Sequence, residues 1–189
     1  MTAERSWRGR VFIATSLDGF IARPDGDIEW LTQPRADIDH LKAPDQPPPN
    51  GDYDTFMSGI DHIVMGRTTY EKVLTFGFWP YENYTVLILS THLPPAHDER
   101  VTVVSSIDAA HRILEDHQAH GVYIDGGKVI QSFLAAGLID EITLTHAPIL
   151  LGSGLPLFGA LPTDTHLRLD AVSHSGNGLT HSTYTIIPS

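Results

Sequence analysis

The chain has no cysteine in its 189 residues. Disulfides, thiolate metal sites and cysteine nucleophiles are therefore excluded together. It also has no apolar run near the roughly 20 residues that a membrane-spanning helix needs. The opening "MTAERSWRGR" is charged and leads straight into a strand-like segment, so no signal peptide is expected. Basic residues are few: 12 Lys and Arg stand against 23 Asp and Glu, a formal net charge of −11. Such a surface repels a phosphate backbone, so neither nucleic acid nor a membrane is expected as a partner. A cytoplasmic protein acting on a small molecule is expected instead. A small anion can still bind where a few local groups favour it.

What is present reads as one α/β domain over 1–189. "RVFIATSL" (10–17), "HIVMG" (62–66), "TVLILS" (85–90), "RVTVVS" (100–105) and "GVYID" (121–125) are short apolar runs with the character of buried strands. Helical patterns lie between several of them. Thr68-x-x-Glu71 has the form of a capping box, and Ser105-x-x-Asp108 is a weaker version. Ile107, Ala110 and Leu114 share one helical face, and "KVIQSFLAAG" stacks Val129, Phe133 and Leu134 before Gly137 stops it. Strands alternating with helices predict a mostly parallel sheet. The end differs, because 140–150, 165–175 and 179–187 are strand-like without helices between them. Gly176-Asn177-Gly178 marks a hairpin joining the last two. The Pro-rich stretch 42–52 reads as a loop insertion.

Three strand exits carry the chemistry. Gly66-Arg67-Thr68 leaves a strand and opens a helix, so free N–H groups and the positive helix end face one spot beside a forked cation. Gly126-Gly127 repeats the arrangement, with Lys128 and Val129 following. Ser90-Thr91 places two hydroxyls at the carboxyl end of a strand, the edge where parallel sheets bind ligands. Each alone is also what a tight turn looks like. Together they suit a dinucleotide, whose phosphates lie at separated places. Neither G-x-G-x-x-G nor G-x-x-x-x-G-K-[ST] occurs, which disfavours Rossmann and P-loop sites.

In order and spacing, "SLDGFIA", "VMGRTTYE", "LILS", "DERVTVV" and "IDGGKVIQSFLAAGLIDEITLTHAPILLGSGLPLF" resemble the dihydrofolate reductase superfamily. The branch is the one that includes the reductase domain of bacterial riboflavin biosynthesis. The resemblance runs from about residue 10 to 187. It implies a three-layer α/β/α fold with a mixed, mostly parallel sheet and an antiparallel C-terminal hairpin. It also implies a reduced nicotinamide dinucleotide across the sheet. Ala14 and Ile21 would touch the nicotinamide. Gly66, Arg67, Thr68, Ser90 and Thr91 would surround the adenosine phosphate, and Gly126, Gly127, Lys128 and Val129 the pyrophosphate. Arg67 with two hydroxyls suits a 2′-phosphate, so NADPH is expected over NADH. A homodimer is expected from the same branch.

For the proton that accompanies hydride transfer, the resemblance points to Asp52, four residues before the pocket aromatic Phe56. Asp54 is its close competitor, and a simple helix cap is the plain alternative for Asp52. Asp18, in "SLDG", reads as a turn residue. Trp30 matches an active-site loop tryptophan, which either covers the nicotinamide or packs under the insertion. Dihydrofolate reductases hold the folate glutamate with an arginine before the "ILS" strand. Here Tyr84 falls near that place, and no Lys or Arg occurs across 73–99. An unpartnered buried carboxylate is costly, so folate fits poorly. The same scarcity weakens the case for a phosphorylated pyrimidine, for which Lys42 in the insertion is one candidate cation. The aromatic cluster of Phe76, Phe78, Trp79 and Tyr81 suits an uncharged planar substrate or an interface between subunits. His117, His120, His92 and His97 show no convincing third ligand, so no metal is expected. The expected function is an NADPH-dependent reductase acting on a C=N or C=O bond. The rivals are a non-catalytic nucleotide-binding module and, less favoured, dihydrofolate reduction itself.

Overall fold

The computed structural model describes residues 5–32, 52–94, 98–175 and 178–188. Its centre is an eight-stranded sheet of β1 (Arg8–Ser16), β3 (His62–Gly66), β4 (Thr85–Leu89), β5 (Val101–Val104), β6 (Gly121–Asp125), β7 (Glu141–Ala147), β9 (Leu167–His174) and β10 (Thr180–Ile186). They lie in the order β5-β4-β3-β6-β1-β7-β10-β9. All pairs from β5 to β7 are parallel, and β10 runs antiparallel to both β7 and β9. The central strands are buried on both faces, which is why their sequences are unbroken apolar runs rather than alternating ones. Ile63, Val64 and Met65 of β3 have no exposed surface.

Helices cover both faces. α4 (Ile107–Asp116) and α5 (Gly127–Ala135) bury Ala110, Leu114, Ile130 and Phe133 in a core with Val11, Val64, Leu87 and Ile124. On the other face α2 (Tyr53–Ser58) and α3 (Arg67–Leu74) contribute Phe56, Met57, Tyr70 and Val73 to a core with Ile63, Met65, Ile88 and Tyr123. This is the expected three-layer α/β/α arrangement, with the expected antiparallel end. Three elements are additions to the sequence reading. β2 (Phe20–Ala22) and β8 (Leu155–Pro156) form a separate two-stranded antiparallel sheet. A four-residue helix, α1 (Glu29–Thr32), follows β2. The loop insertion at 42–51, with Lys42, lies outside the described residues, as do His97 and the hairpin residues 176–177. No helix among the described residues is long and apolar enough to cross a membrane.

Two helix starts differ from the capping boxes read in the sequence. α3 begins two residues early, with Gly66 as its N-cap and no side-chain cap. Thr68 is thus already inside the helix, and Glu71 turns to Arg67 instead (Nη1 to Oε1, 2.9 Å). α4 is capped by Ser106, whose Oγ accepts from the Ala109 N–H, rather than by Ser105.

Candidate cofactor and active site

The four longer helices fall into two classes at their N-termini. α2 and α4 are closed by side chains, Asp52 and Ser106. α3 and α5 start from Gly66 and Gly126, with no side-chain cap. Their first-turn N–H groups are therefore left without side-chain partners, each at the positive end of a helix. Both open on the same cavity of about 550 Å³, at the carboxyl edge of the sheet. That size is ordinary for a ligand site.

Sequence reasoning named ten of the cavity-lining residues: Ile21, Gly66, Arg67, Thr68, Ser90, Thr91, Gly126, Gly127, Lys128 and Val129. Ala14 does not line it; it sits on β1 in register with Thr145 of β7. Sequence reasoning did not assign Thr69, Leu89, His92, Ser105, Gln131, Ser132, Leu155 and Pro156 to the cofactor; they complete the wall. His92 and Ser105 follow the ends of β4 and β5, so the rule that pointed to Ser90 could have found them. Leu155 and Pro156 carried no such signal, because β8 reaches the cavity only by pairing with β2. Gln131 fixes that strand from α5, donating from Nε2 to the carbonyls of Pro156 (3.0 Å) and Leu157 (3.1 Å).

Glycine is required at the mouth. Gly126 has φ +89°, and a Cβ there would lie 2.3 Å from Thr69 Oγ1; one on Gly127 would lie 2.8 Å from Ile21 Cδ1. Side chains are thus kept out of the space where two helix ends present N–H donors, the geometry a pyrophosphate needs. At the other end Ser90 Oγ accepts from the N–H groups of His92 (3.1 Å) and Leu93 (3.2 Å), which leaves its own hydrogen free to donate outward. Arg67 is half-exposed beside it. These residues fit a phosphorylated dinucleotide.

The carboxylates divide by environment. Asp52 is an exposed helix cap: its Oδ1 accepts from Thr55 N (3.0 Å) and Thr55 Oγ1 (3.3 Å). Those bonds, the backbone one first, hold its carboxyl below the ordinary range, the reverse of what a proton donor needs. Asp18 accepts from Ser16 Oγ (2.6 Å) and from the N–H groups of Leu151 and Gly152 (3.1 and 2.7 Å), latching its turn to the loop before β8. The Ser16 bond leads in holding its carboxyl down. Asp125 is different, and sequence reasoning did not single it out. It ends β6 immediately before the glycine pair, in register with Met65. Burial pushes its carboxyl up to about 6, although the bond from Gly126 N–H (2.8 Å) holds it down in part.

Tyrosines surround Asp125. The Tyr123 hydroxyl donates to the Phe12 carbonyl (3.0 Å), and the Tyr53 and Tyr81 hydroxyls bond to each other. Burial first, and then the nearby Asp125 charge, push Tyr53 up to about 12 and raise Tyr81 and Tyr123 further. Phe56 is 3% exposed and packs against Phe12 and Tyr123, each with ring centroids at 5.2 Å. It belongs to the core on that side of the sheet rather than presenting a free face. Trp30 is half-buried in α1, its Nε1 without a partner among the described residues. Of the aromatic segment, Tyr81 is buried and Trp79 half-buried, whereas Phe76 and Phe78 face outward. Trp79 is held by Arg100, whose guanidinium lies 4.7 Å from its ring centroid. Asp98 ties the two sides together, accepting from Arg100 and from the Tyr70 hydroxyl (2.7 Å). His117 and His120 join His62 and Asp61 at the opposite edge of the sheet; His62 Nε2 lies 3.2 Å from His117 Nδ1.

Known proteins match this arrangement along most of the chain. Uncharacterized protein YwjB of Bacillus subtilis (strain 168) is 35% identical over 173 residues, covering 89% of this chain and 92% of that protein. A candidate riboflavin biosynthesis protein from Shewanella sp. PV-4 superposes with a TM-score of 0.78 at 36% identity, covering 96% of this chain and 99% of that one. Dihydrofolate reductase from Enterococcus faecalis, complexed with NADP(H), shares the fold at a TM-score of 0.60 and 18% identity, covering 97% and 98%. The model of the RibD C-terminal domain matches residues 9–181, and the chain belongs to that family, with a fold like that of dihydrofolate reductase.

Proposed function

We propose that this protein is an NADPH-dependent reductase that transfers a hydride to a small, uncharged heterocyclic or carbonyl substrate, of pyrimidine or pteridine-like character. Membership of the RibD C-terminal domain family and the likeness to a candidate riboflavin biosynthesis protein support a reductase, with riboflavin synthesis as the first pathway to test. The observation that carries the reading is the pair of uncapped helix starts opening on one cavity, with glycines where a Cβ would collide with its wall at Thr69 and Ile21. Gly126, Gly127 and Lys128 would hold the pyrophosphate, and Arg67, Ser90 and Thr91 the adenosine 2′-phosphate. The bound dinucleotide supplies the hydride. Asp125, rather than Asp52, holds the proton for the heteroatom, because burial lets its carboxyl keep that proton up to about pH 6, whereas Asp52 is held below the ordinary range. Tyr53, Tyr81 and Tyr123 keep water away from it and offer flat faces to a planar ring.

Titration calorimetry with NADPH and NADH, followed by turnover assays on the absorbance of reduced nicotinamide, tests the proposal. Binding of NADPH at least tenfold tighter than NADH is expected, since a 2′-phosphate gains charge-assisted bonds to Arg67. Absence of NADPH binding at millimolar concentration rejects it. Binding without turnover on any pyrimidine, pteridine or carbonyl compound would assign the chain to a nucleotide-binding module instead.

A further inference from the structure

Register across the sheet brings together a row of polar side chains that the cofactor does not use. Ala14 of β1 pairs with Thr145 of β7, Thr145 with His181 of β10, and His181 with Ser173 of β9. Residues paired in this way point to the same face of a sheet. Phe12, Thr143 and Thr183 form the adjacent row on that face, which is also the face of Tyr123 and Asp125. Moving away from Asp125, the surface changes from aromatic to hydroxylic. Thr143 and Thr183 bond to each other at 3.1 Å, and Thr145 Oγ1 meets His181 Nδ1 at 2.9 Å.

Two features of this row are unspent. His181 is half-buried with only Nδ1 engaged among the described residues, which leaves Nε2 as the ring nitrogen open to a ligand. Ser173 is 4% exposed, and its Oγ has no partner among the described residues. A buried hydroxyl without a partner costs free energy unless a ligand or water completes it. The row is also uncharged. The arginines on this face, Arg10 and Arg168, are bound to Glu141 and Asp170. Burial lowers the proton affinity of His181, keeping the ring neutral near pH 7. An anionic group set here would be buried without a counter-cation from the described residues.

Resting on the reductase reading above, we propose that His181, oriented by Thr145 and flanked by Ser173, binds the edge of the substrate remote from the reacting atoms, and that this edge is a neutral hydrogen-bonding group such as an amide, urea or hydroxyl. Two strand spacings separate Ala14 from His181, about 10 Å, the reach of a fused bicyclic ring or a single ring with a short polar tail. Asp125 lies on the other side of β1, so the substrate is gripped at both ends while the ring lies over Ala14.

The test uses dihydropterin as a neutral probe and dihydrofolate, the same ring bearing two carboxylates, as its charged counterpart. Wild-type protein saturated with NADPH is expected to reduce dihydropterin with the lower KM. His181→Leu should raise KM for dihydropterin at least about tenfold, the loss of one buried hydrogen bond, with NADPH affinity within about twofold. His181→Gln, which restores a donor and an acceptor, should recover most of the loss. An unchanged KM in His181→Leu, no reduction of dihydropterin by the wild type, or a lower KM for dihydrofolate each overturns the proposal. Loss of NADPH binding in the wild type would instead overturn the reductase reading, so the two failures are separable.

Discussion

Asp125 and Asp52 are both carboxylates near the pocket, but their surroundings give them opposite properties. A donor must hold its proton at working pH, and burial does this for Asp125 by raising its carboxyl to about 6. Reduction is therefore expected to fall as pH rises through about 6. Asp125→Asn should lower turnover about a hundredfold or more and remove that pH limb, while NADPH affinity stays put. Stability offers a second readout. A carboxyl with a raised folded-state affinity for its proton favours the native state below its unfolded value of 3.8, and that contribution is lost as pH rises through about 6. Asp125→Asn should thus gain stability over wild type above that window and gain none below it, which thermal unfolding at two pH values measures. Asp52→Ala is expected to do the reverse. It removes a helix cap, lowers the unfolding midpoint by about 2–4 °C and leaves turnover intact. A hundredfold loss of turnover in Asp52→Ala would return the donor role to Asp52.

Helix starts set the cofactor's grip at the scale of elements. On the proposed reading, backbone N–H groups would meet the pyrophosphate of either cofactor, whereas Arg67 would meet only the 2′-phosphate. Gly126→Ala forces an L residue to φ +89° with its Cβ 2.3 Å from Thr69 Oγ1, so NADPH and NADH should weaken together, by about tenfold or more. Arg67→Met should weaken NADPH about tenfold and leave NADH nearly unchanged, as calorimetry with both cofactors would show. Equal losses in Arg67→Met would move the 2′-phosphate elsewhere. These glycine exits were legible in the sequence because β3 and β6 are buried on both faces, which makes each strand an apolar run with an abrupt end. The caps were less legible. Thr68 and Ser105 match a motif, but strand β3 runs into α3 with no residue to spare, so Gly66 takes the cap position. Asp125 escaped notice because burial, not a local motif, raises its carboxyl, and Tyr53 and Tyr81, whose ionisation its charge opposes, lie more than forty positions away in the chain. The two-residue strand β8 is too short to carry any period.

At the scale of the whole molecule, the expected homodimer has two apolar surfaces to choose between. One is the edge strand β9. Asp170 is bulged out of the pairing with β10, so Leu167, Leu169 and Val172 all project from the face that carries Leu144 and Tyr184. Leu169 and Val172 are 54% and 58% exposed. The other surface is Phe76 and Phe78, in the segment between α3 and β4. An open edge strand presents unpaired backbone N–H and C=O groups together with its side chains, and natural proteins cover or charge such edges. The aromatic segment presents side chains alone, and its neighbours Trp79 and Tyr81 already face inward to Tyr70 and Tyr53. The edge is therefore the surface expected to pair, and the segment the one expected to border the substrate. Sedimentation velocity should find a dimer that Leu169→Glu with Val172→Glu converts to monomer, with NADPH affinity unchanged. Phe76→Ser with Phe78→Ser should leave the dimer whole and raise the KM of a reducible substrate by about tenfold, the cost of exposing one side of an apolar ring. Dissociation by the phenylalanine pair, with none by the β9 pair, would reverse the two assignments.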